Sequence, residues 1–159
     1  MIHNQKSIIA IIAKQCRIHQ WSKNILVFVP AIAGHSLFKI EVLFEMVLSF
    51  CAFCMISSGI YIINDIHDIE SDRKHPINNV RPIAAGQLSV NLALFISLIM
   101  FVTGSILTIR LGILFSVVII SYVFLNIIYT RYIKQIIILD IILLMIFYTI
   151  RLLAGYVPL

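Results

Sequence analysis

The sequence predicts an all-α, polytopic membrane helix bundle with about five transmembrane helices, and three observations predict it. Hydrophobic residues make up 61% of the 159 residues and charged residues only 12%, about half the charged fraction of a soluble domain. Mean hydropathy is +1.04. No charge interrupts residues 46–64, 82–109 or 111–130, and each run is near or above the ~20 residues that cross a hydrocarbon core as a helix. Membrane strands would be about half that length and would alternate polar with apolar, a pattern these runs lack.

From the N-terminus, residues 1–23 form a cytoplasmic or interfacial segment. Its apolar stretch 8–13 is too brief for a signal-peptide core, so the segment is expected to lie along the membrane surface, with Lys6, Lys14 and Arg17 facing lipid headgroups. The spans follow at about 24–38, 46–64, 88–109, 112–129 and 135–155, the first of them short. Basic residues orient them. Lys6, Lys14, Arg17 and Lys23 precede the first span, Arg73, Lys74 and Arg81 follow the second, and Arg131 and Lys134 follow the fourth. The two other loops hold only Lys39 and Arg110. Positive-inside bias then puts the N-terminus, the loop at 65–87 and the 131–134 loop in the cytoplasm of a protein of the inner or cell membrane. Orientation also accounts for the net charge of +5. No basic stripe lies on a soluble face, so no nucleic-acid partner is expected. Cys51 and Cys54 form a CxxC inside an apolar helix and, without a second pair or nearby histidines, read as small buried residues rather than zinc ligands.

The one compositional break is 64–86, where four of the seven acidic residues fall within 65–72. Pro76 and Pro82 mark loop, and Gly86 suits a turn ahead of the third span. If the second span's helix continues, Asp65, Asp68 and Asp72 fall at i, i+3 and i+7, on one helical face, with the Asn64 amide near the same edge. Like charges stacked this way repel. Mg²⁺, which takes one or two carboxylates plus substrate phosphates, would relieve the repulsion and grip a diphosphate. The alternative is a solvated loop whose acids pair with Arg73, Lys74 and Arg81; spacing and position favour the metal. His67 and Glu70 fall off the acidic face. His75, before Pro76, fits a substrate contact and an ordinary loop histidine equally. Arg81 is a bidentate donor suited to phosphate. Tyr129 and Lys134 lie on the same predicted side, where a cation would help carry leaving-group charge. Asp140 and Arg151 are ionisable groups in or near the fifth span, expected to line a polar cavity.

These residues resemble the UbiA superfamily of intramembrane transferases. Asn64, Asp65, Asp68 and Asp72 match its NDxxDxxxD signature, and Arg81-Pro82-Ile-Ala-Ala-Gly86 its RPxxxG element. Gln20-Trp21-Ser-Lys23-Asn24, Asp72-Arg73-Lys-His75-Pro76 and Arg151-Leu-Leu-Ala-Gly155 are similar to the decaprenyl-phosphate phosphoribosyltransferase branch. The resemblance implies a helical bundle with a cavity open to cytoplasm and lipid, a donor in 5-phosphoribosyl 1-diphosphate and a polyprenyl phosphate acceptor held in membrane lipid, as in cell wall biosynthesis. It implies Mg²⁺ on Asp65, Asp68 and Asp72, supported by Asn64, and phosphates on Arg73, Lys74 and Arg81. An aromatic prenyltransferase using an isoprenyl diphosphate, or a non-catalytic membrane subunit, are the alternatives. Full members of the family have about nine spans and a second acidic motif. The chain is therefore expected to be a truncated gene product, with a half-protein completed by a partner or a degenerate remnant as the other readings.

Overall fold

A computed structural model describes residues 7–133 and 137–157. Among the described residues seven α-helices are joined by 3-10 and π-helical segments, and no strand occurs. They are α1 (Ile8–Gln15), α2 (Val29–Ala33), α3 (Ile40–His67), α4 (Ile69–Lys74), α5 (Val90–Arg110), α6 (Ile113–Ile128) and α7 (Ile137–Tyr156). A 3-10 helix, Ile18–Phe28, leads into α2, and a π-helical turn, Tyr129–Ile133, follows α6.

Among the described residues four helices are long and apolar enough to cross a membrane: Ile40–His67, Val90–Arg110, Ile113–Arg131 and Ile138–Tyr156. They correspond to the second to fifth predicted spans. The expected span at 24–38 is divided instead. Pro30 stands in the first turn of α2 and Gly34 caps it after five residues, a position proline tolerates because no intrahelical N–H bond is lost there. The 3-10 stretch rises ~2.0 Å per residue against 1.5 Å in an α-helix, so Ile18–Ala33 still reaches about 30 Å.

α3 is the central helix, with 61% of its apolar window buried against 33% or less in the other three. It packs chiefly along α5, and small residues let the two backbones approach. A Cβ on Gly59 would lie 3.1 Å from the Phe101 ring, and one on Gly104 would lie 2.8 Å from Ile56. Ser97 on α5 donates to the Gly59 carbonyl at 3.2 Å, the interhelical bonding that apolar bundles use in place of hydrophobic drive. Phe53, Tyr122, Phe147 and Tyr129 form a chain of edge-on rings, centroids 5.3–5.9 Å apart, tying α3, α6 and α7 together.

The N-terminal segment lies against α3 rather than apart from it. Trp21 Nε1 donates to Ser58 Oγ at 3.0 Å, Ser58 Oγ donates to the Cys16 carbonyl at 2.8 Å, and Asn24 Nδ2 reaches Cys54 Sγ at 3.3 Å. The expected headgroup contacts of α1 are revised accordingly. Lys14 Nζ donates to the Val80 carbonyl at 2.6 Å, and Arg17, in the left-handed region at φ 52°, turns toward α3. Lys6 lies outside the described residues.

Candidate functional site

The last two turns of α3 carry Tyr61, Asn64 and Asp65. The helix does not run unbroken through the aspartates: Asp68 ends α3 and precedes α4, at φ −92° and ψ 10°. The amide bonds Asp68 N–H to Asn64 O and Asp72 N–H to Asp68 O keep helical spacing across the break, at 2.9 and 2.8 Å. Asp65 and Asp72 therefore stay on one side, each 3% exposed, while Asp68 is half-buried and its Oδ1 lies 3.3 Å from His67 Nδ1.

The RPxxxG element is a closed turn that returns Arg81 to the aspartates. Ala85 N–H donates to the Arg81 carbonyl at 2.8 Å, and Gln87 and Leu88 N–H both donate to the Pro82 carbonyl, at 2.9 and 3.2 Å. Gly86 sits at φ +70°, a conformation glycine adopts without the steric cost a side chain carries. Ile83, Ala84 and Leu88 are buried and anchor the turn. Arg81 Nη1 then donates to Asp65 Oδ1 at 3.1 Å and to Asp72 Oδ2 at 2.7 Å.

Asp65 has two further donors that the sequence reading did not place. Arg17 Nη2 reaches Oδ1 at 2.5 Å and Gln15 Nε2 reaches Oδ2 at 2.8 Å. Arg17 also stacks over the Tyr61 ring, 4.9 Å from its centroid. These contacts span 48 and 50 positions, so no local pattern announces them. The three carboxylates do not gather on one point. Among the described residues no group of three acidic, histidine or cysteine side chains is placed to hold a metal ion.

The cluster opens into a cavity of about 360 Å³, lined on the α3–α4 side by Arg17, Tyr61, Asn64, Asp65, Asp68, Ser71 and Asp72, on the loop side by His75, Asn78 and Arg81, and on the α6 side by Asn126, Tyr129 and Thr130. Asn64 Nδ2 donates to Thr130 Oγ1 at 3.2 Å, closing one wall. His75 Nδ1 accepts from the amides of Ile77 and Asn78, at 3.2 and 3.3 Å, and so shapes the loop. A second cavity of about 760 Å³ adjoins the first through Asn64, Asp68 and Thr130 and is also lined by His67 and Arg131.

Of the expected site residues, Asn64, Asp65, Asp68, Asp72, Arg81 and Tyr129 line the first cavity. Arg73 and Lys74 do not: Arg73 Nε donates to the Ala84 carbonyl at 3.3 Å, bracing the turn, and Lys74 is exposed. Lys134 lies outside the described residues. Asp140 and Arg151 do not share a cavity as expected. Asp140 accepts from the Tyr129 hydroxyl at 2.7 Å, while Arg151 is 4% exposed and donates to Asn24 Oδ1, the Phe147 carbonyl and the Tyr122 hydroxyl. Gln15, Arg17, Tyr61, Ser71, Asn78, Asn126 and Thr130 are the lining or contact residues that sequence reasoning missed; none carries a motif.

Residues 25–158 match the UbiA prenyltransferase family. The chain is 36% identical over 141 residues to the nodulation protein NoeC of Azorhizobium caulinodans, covering 88% of this chain and 45% of that protein. It is 31% identical over 154 residues to the decaprenyl-phosphate phosphoribosyltransferase of Mycolicibacterium smegmatis, 94% of this chain and 48% of that one. Against the decaprenyl-phosphate phosphoribosyltransferase of Corynebacterium glutamicum it is 43% identical over 82 residues, 50% of this chain and 25% of that one. The chain thus spans less than half the length of these relatives.

Proposed function

The chain belongs to the UbiA prenyltransferase family and is an integral membrane protein, and from that premise we propose that it serves transfer of a phosphoribosyl group from 5-phosphoribosyl 1-diphosphate to a polyprenyl phosphate. The observation that carries this reading is the convergence of Asp65 Oδ1 and Asp72 Oδ2 on one cationic nitrogen at 3.1 and 2.7 Å, at the floor of a polar cavity. The likeness to two decaprenyl-phosphate phosphoribosyltransferases supports the donor and the acceptor.

The residues present fit a divalent cation. Two buried carboxylates already hold a positive charge between them, and the Oε1 of Gln15, whose other amide atom bonds Asp65, is buried with no partner among the described residues. Asp65 and Asp72 would hold Mg²⁺, a hard cation that takes one or two carboxylates together with substrate phosphates, with Asp68 on the same cavity wall. When bound, the metal neutralises charge on the departing diphosphate. The protein supplies the rest. Arg81 donates to phosphate oxygens, Asn64 and Tyr129 line the approach to the ribose, and the walls from α3 and α6 exclude bulk water. In the transfer, the bond from the anomeric carbon to the diphosphate oxygen breaks. A bond from that carbon to an oxygen of the acceptor phosphate forms, and diphosphate leaves. A polar mouth at the end of an apolar bundle suits both partners, since the donor is water-soluble and the acceptor's tail stays in lipid. With the positive-inside orientation, that mouth faces the cytoplasm.

The test is transfer of label from 5-phosphoribosyl 1-diphosphate to polyprenyl phosphate in proteoliposomes, with and without Mg²⁺. Asp72→Asn should lower transfer by about 100-fold or more, the scale of losing one group that stabilises a departing charge. Prenylation of an aromatic acid from an isoprenyl diphosphate, with no phosphoribosyl transfer, would replace this reading by the prenyltransferase one.

A further inference from the structure

Arg81 differs from the two carboxylates it joins. Asp65 and Asp72 are each 3% exposed and stand on helices, whereas the Arg81 side chain is 28% exposed and stands on a loop. Asp65 is also held by Gln15 and Arg17, so it keeps its place without Arg81. Both carboxylates accept from the same nitrogen, Nη1, rather than from the two arms of the guanidinium fork. Arg81 therefore acts toward the pair as a point charge, the role of a small cation. The distances of 3.1 and 2.7 Å exceed the ~2.0–2.1 Å of a magnesium–oxygen bond. A divalent cation drawing both oxygens to that range leaves no room for the guanidinium between them.

We infer that Arg81 is the resident counter-cation of the Asp65–Asp72 pair: it holds the pair in the metal-free protein and is expelled into the cavity by a divalent cation, where it takes diphosphate oxygens. This rests on the reading of the cavity as a metal–diphosphate site and deepens it, because it couples the two ligands. Metal binding alone breaks two charge-assisted hydrogen bonds of Arg81, and the anion then gives that guanidinium new acceptors. Metal and diphosphate must therefore each strengthen the other's binding, by the same factor. Removing the Arg81 charge has effects of opposite sign. The metal loses a competitor, while the anion loses a donor.

The experiment uses the full chain in detergent, with Mn²⁺ followed by the resonance of the free ion and inorganic diphosphate as the anion. Arg81→Gln should bind Mn²⁺ about tenfold more tightly than the unaltered protein, a conservative figure for deleting a unit charge within hydrogen-bond reach. With Mn²⁺ saturating, the same variant should bind diphosphate more weakly, and Arg81→Lys should fall between. Equal or weaker Mn²⁺ binding in Arg81→Gln, while Asp72→Asn abolishes it, overturns the counter-cation role and leaves the metal site standing. Mn²⁺ binding that is indifferent to Asp72→Asn overturns both. If Arg81→Gln does not fold, phenylglyoxal modification of the unaltered protein decides the matter, read peptide by peptide. Mn²⁺ should speed modification of Arg81 and added diphosphate should then suppress it; Mn²⁺ that leaves Arg81 no more reactive overturns the inference.

Discussion

Asp65 is a carboxylate at the end of an apolar helix, and what makes it tolerable there is the number of donors around it. Burying an ionised carboxylate costs several kcal/mol unless it is paired and hydrogen-bonded, and Gln15, Arg17 and Arg81 all donate to it. Arg17→Met should destabilise the protein by about 1–3 kcal/mol, less than breaking an isolated buried pair because Arg81 remains and because Arg17 is 21% exposed. Thermal unfolding in detergent measures it, and an unchanged midpoint would show that Arg17 contributes nothing to holding Asp65. The aspartates and Arg81 were legible in the sequence because each sits in a fixed spacing, NDxxDxxxD or RPxxxG, that local geometry explains. Arg17 and Gln15 were not, since their contact with Asp65 is made only when the N-terminal segment docks on α3. Arg73 and Lys74 were legible as cations but not as the turn brace and the exposed side chain they are, because charge alone does not say which way a short helix faces.

At the scale of elements, the N-terminal 3-10 helix and α7 pack more closely than side chains allow. A Cβ on Gly155 would fall 1.9 Å from the Val27 carbonyl oxygen, a backbone atom. Ala154 and Arg151 are buried at the same contact. Gly155→Ala should therefore cost about 1–3 kcal/mol as the helices part. Gly104→Ala should cost less, because it meets side-chain atoms of Ile56 at 2.8 Å and Met55 Cβ at 3.2 Å rather than a backbone oxygen at 1.9 Å. Comparing the two unfolding midpoints tests this; the reverse order would mean that α7 moves more freely than its contacts imply. The same junction holds Arg151, whose Nε donates to Asn24 at 2.8 Å. Asn24→Ala strands that donor and should cost about 1–3 kcal/mol, by the same unfolding measurement. The four long spans were legible because uninterrupted apolar length suffices to find them. The 24–38 reading took its apolar length as one continuous helix, and neither the switch to 3-10 geometry nor the stop at Gly34 follows from hydropathy.

For the molecule as a whole, the predicted grouping of basic segments on one side agrees with the contacts. Lys14 reaches Val80, Arg17 reaches Asp65 and Asn64 reaches Thr130, so α1, the aspartate loop and the end of α6 meet at one end of the bundle. α5 runs from that end to Arg110 at the other. Introduced thiols should report this. Ser71→Cys should react with an impermeant maleimide only from the cytoplasmic side, and Arg110→Cys only from the opposite side. Native thiols interfere little: Cys16 is 3% exposed and burial pushes its thiol pKa up, leaving less thiolate to react, and Cys51 and Cys54 lie within the α3 span, out of reach of an impermeant reagent. Labelling of both from one side would contradict the positive-inside orientation. The bundle end so defined is where the carboxylates, Arg81 and the cavity lie, and the central claim is that this end grips a diphosphate through a divalent metal. Its most direct measurement is equilibrium binding of labelled 5-phosphoribosyl 1-diphosphate to the purified chain. Binding should require Mg²⁺, be reversed by a chelator and fall by about 100-fold or more in Asp72→Asn. Donor binding that is equally tight with the chelator present and in Asp72→Asn would contradict it.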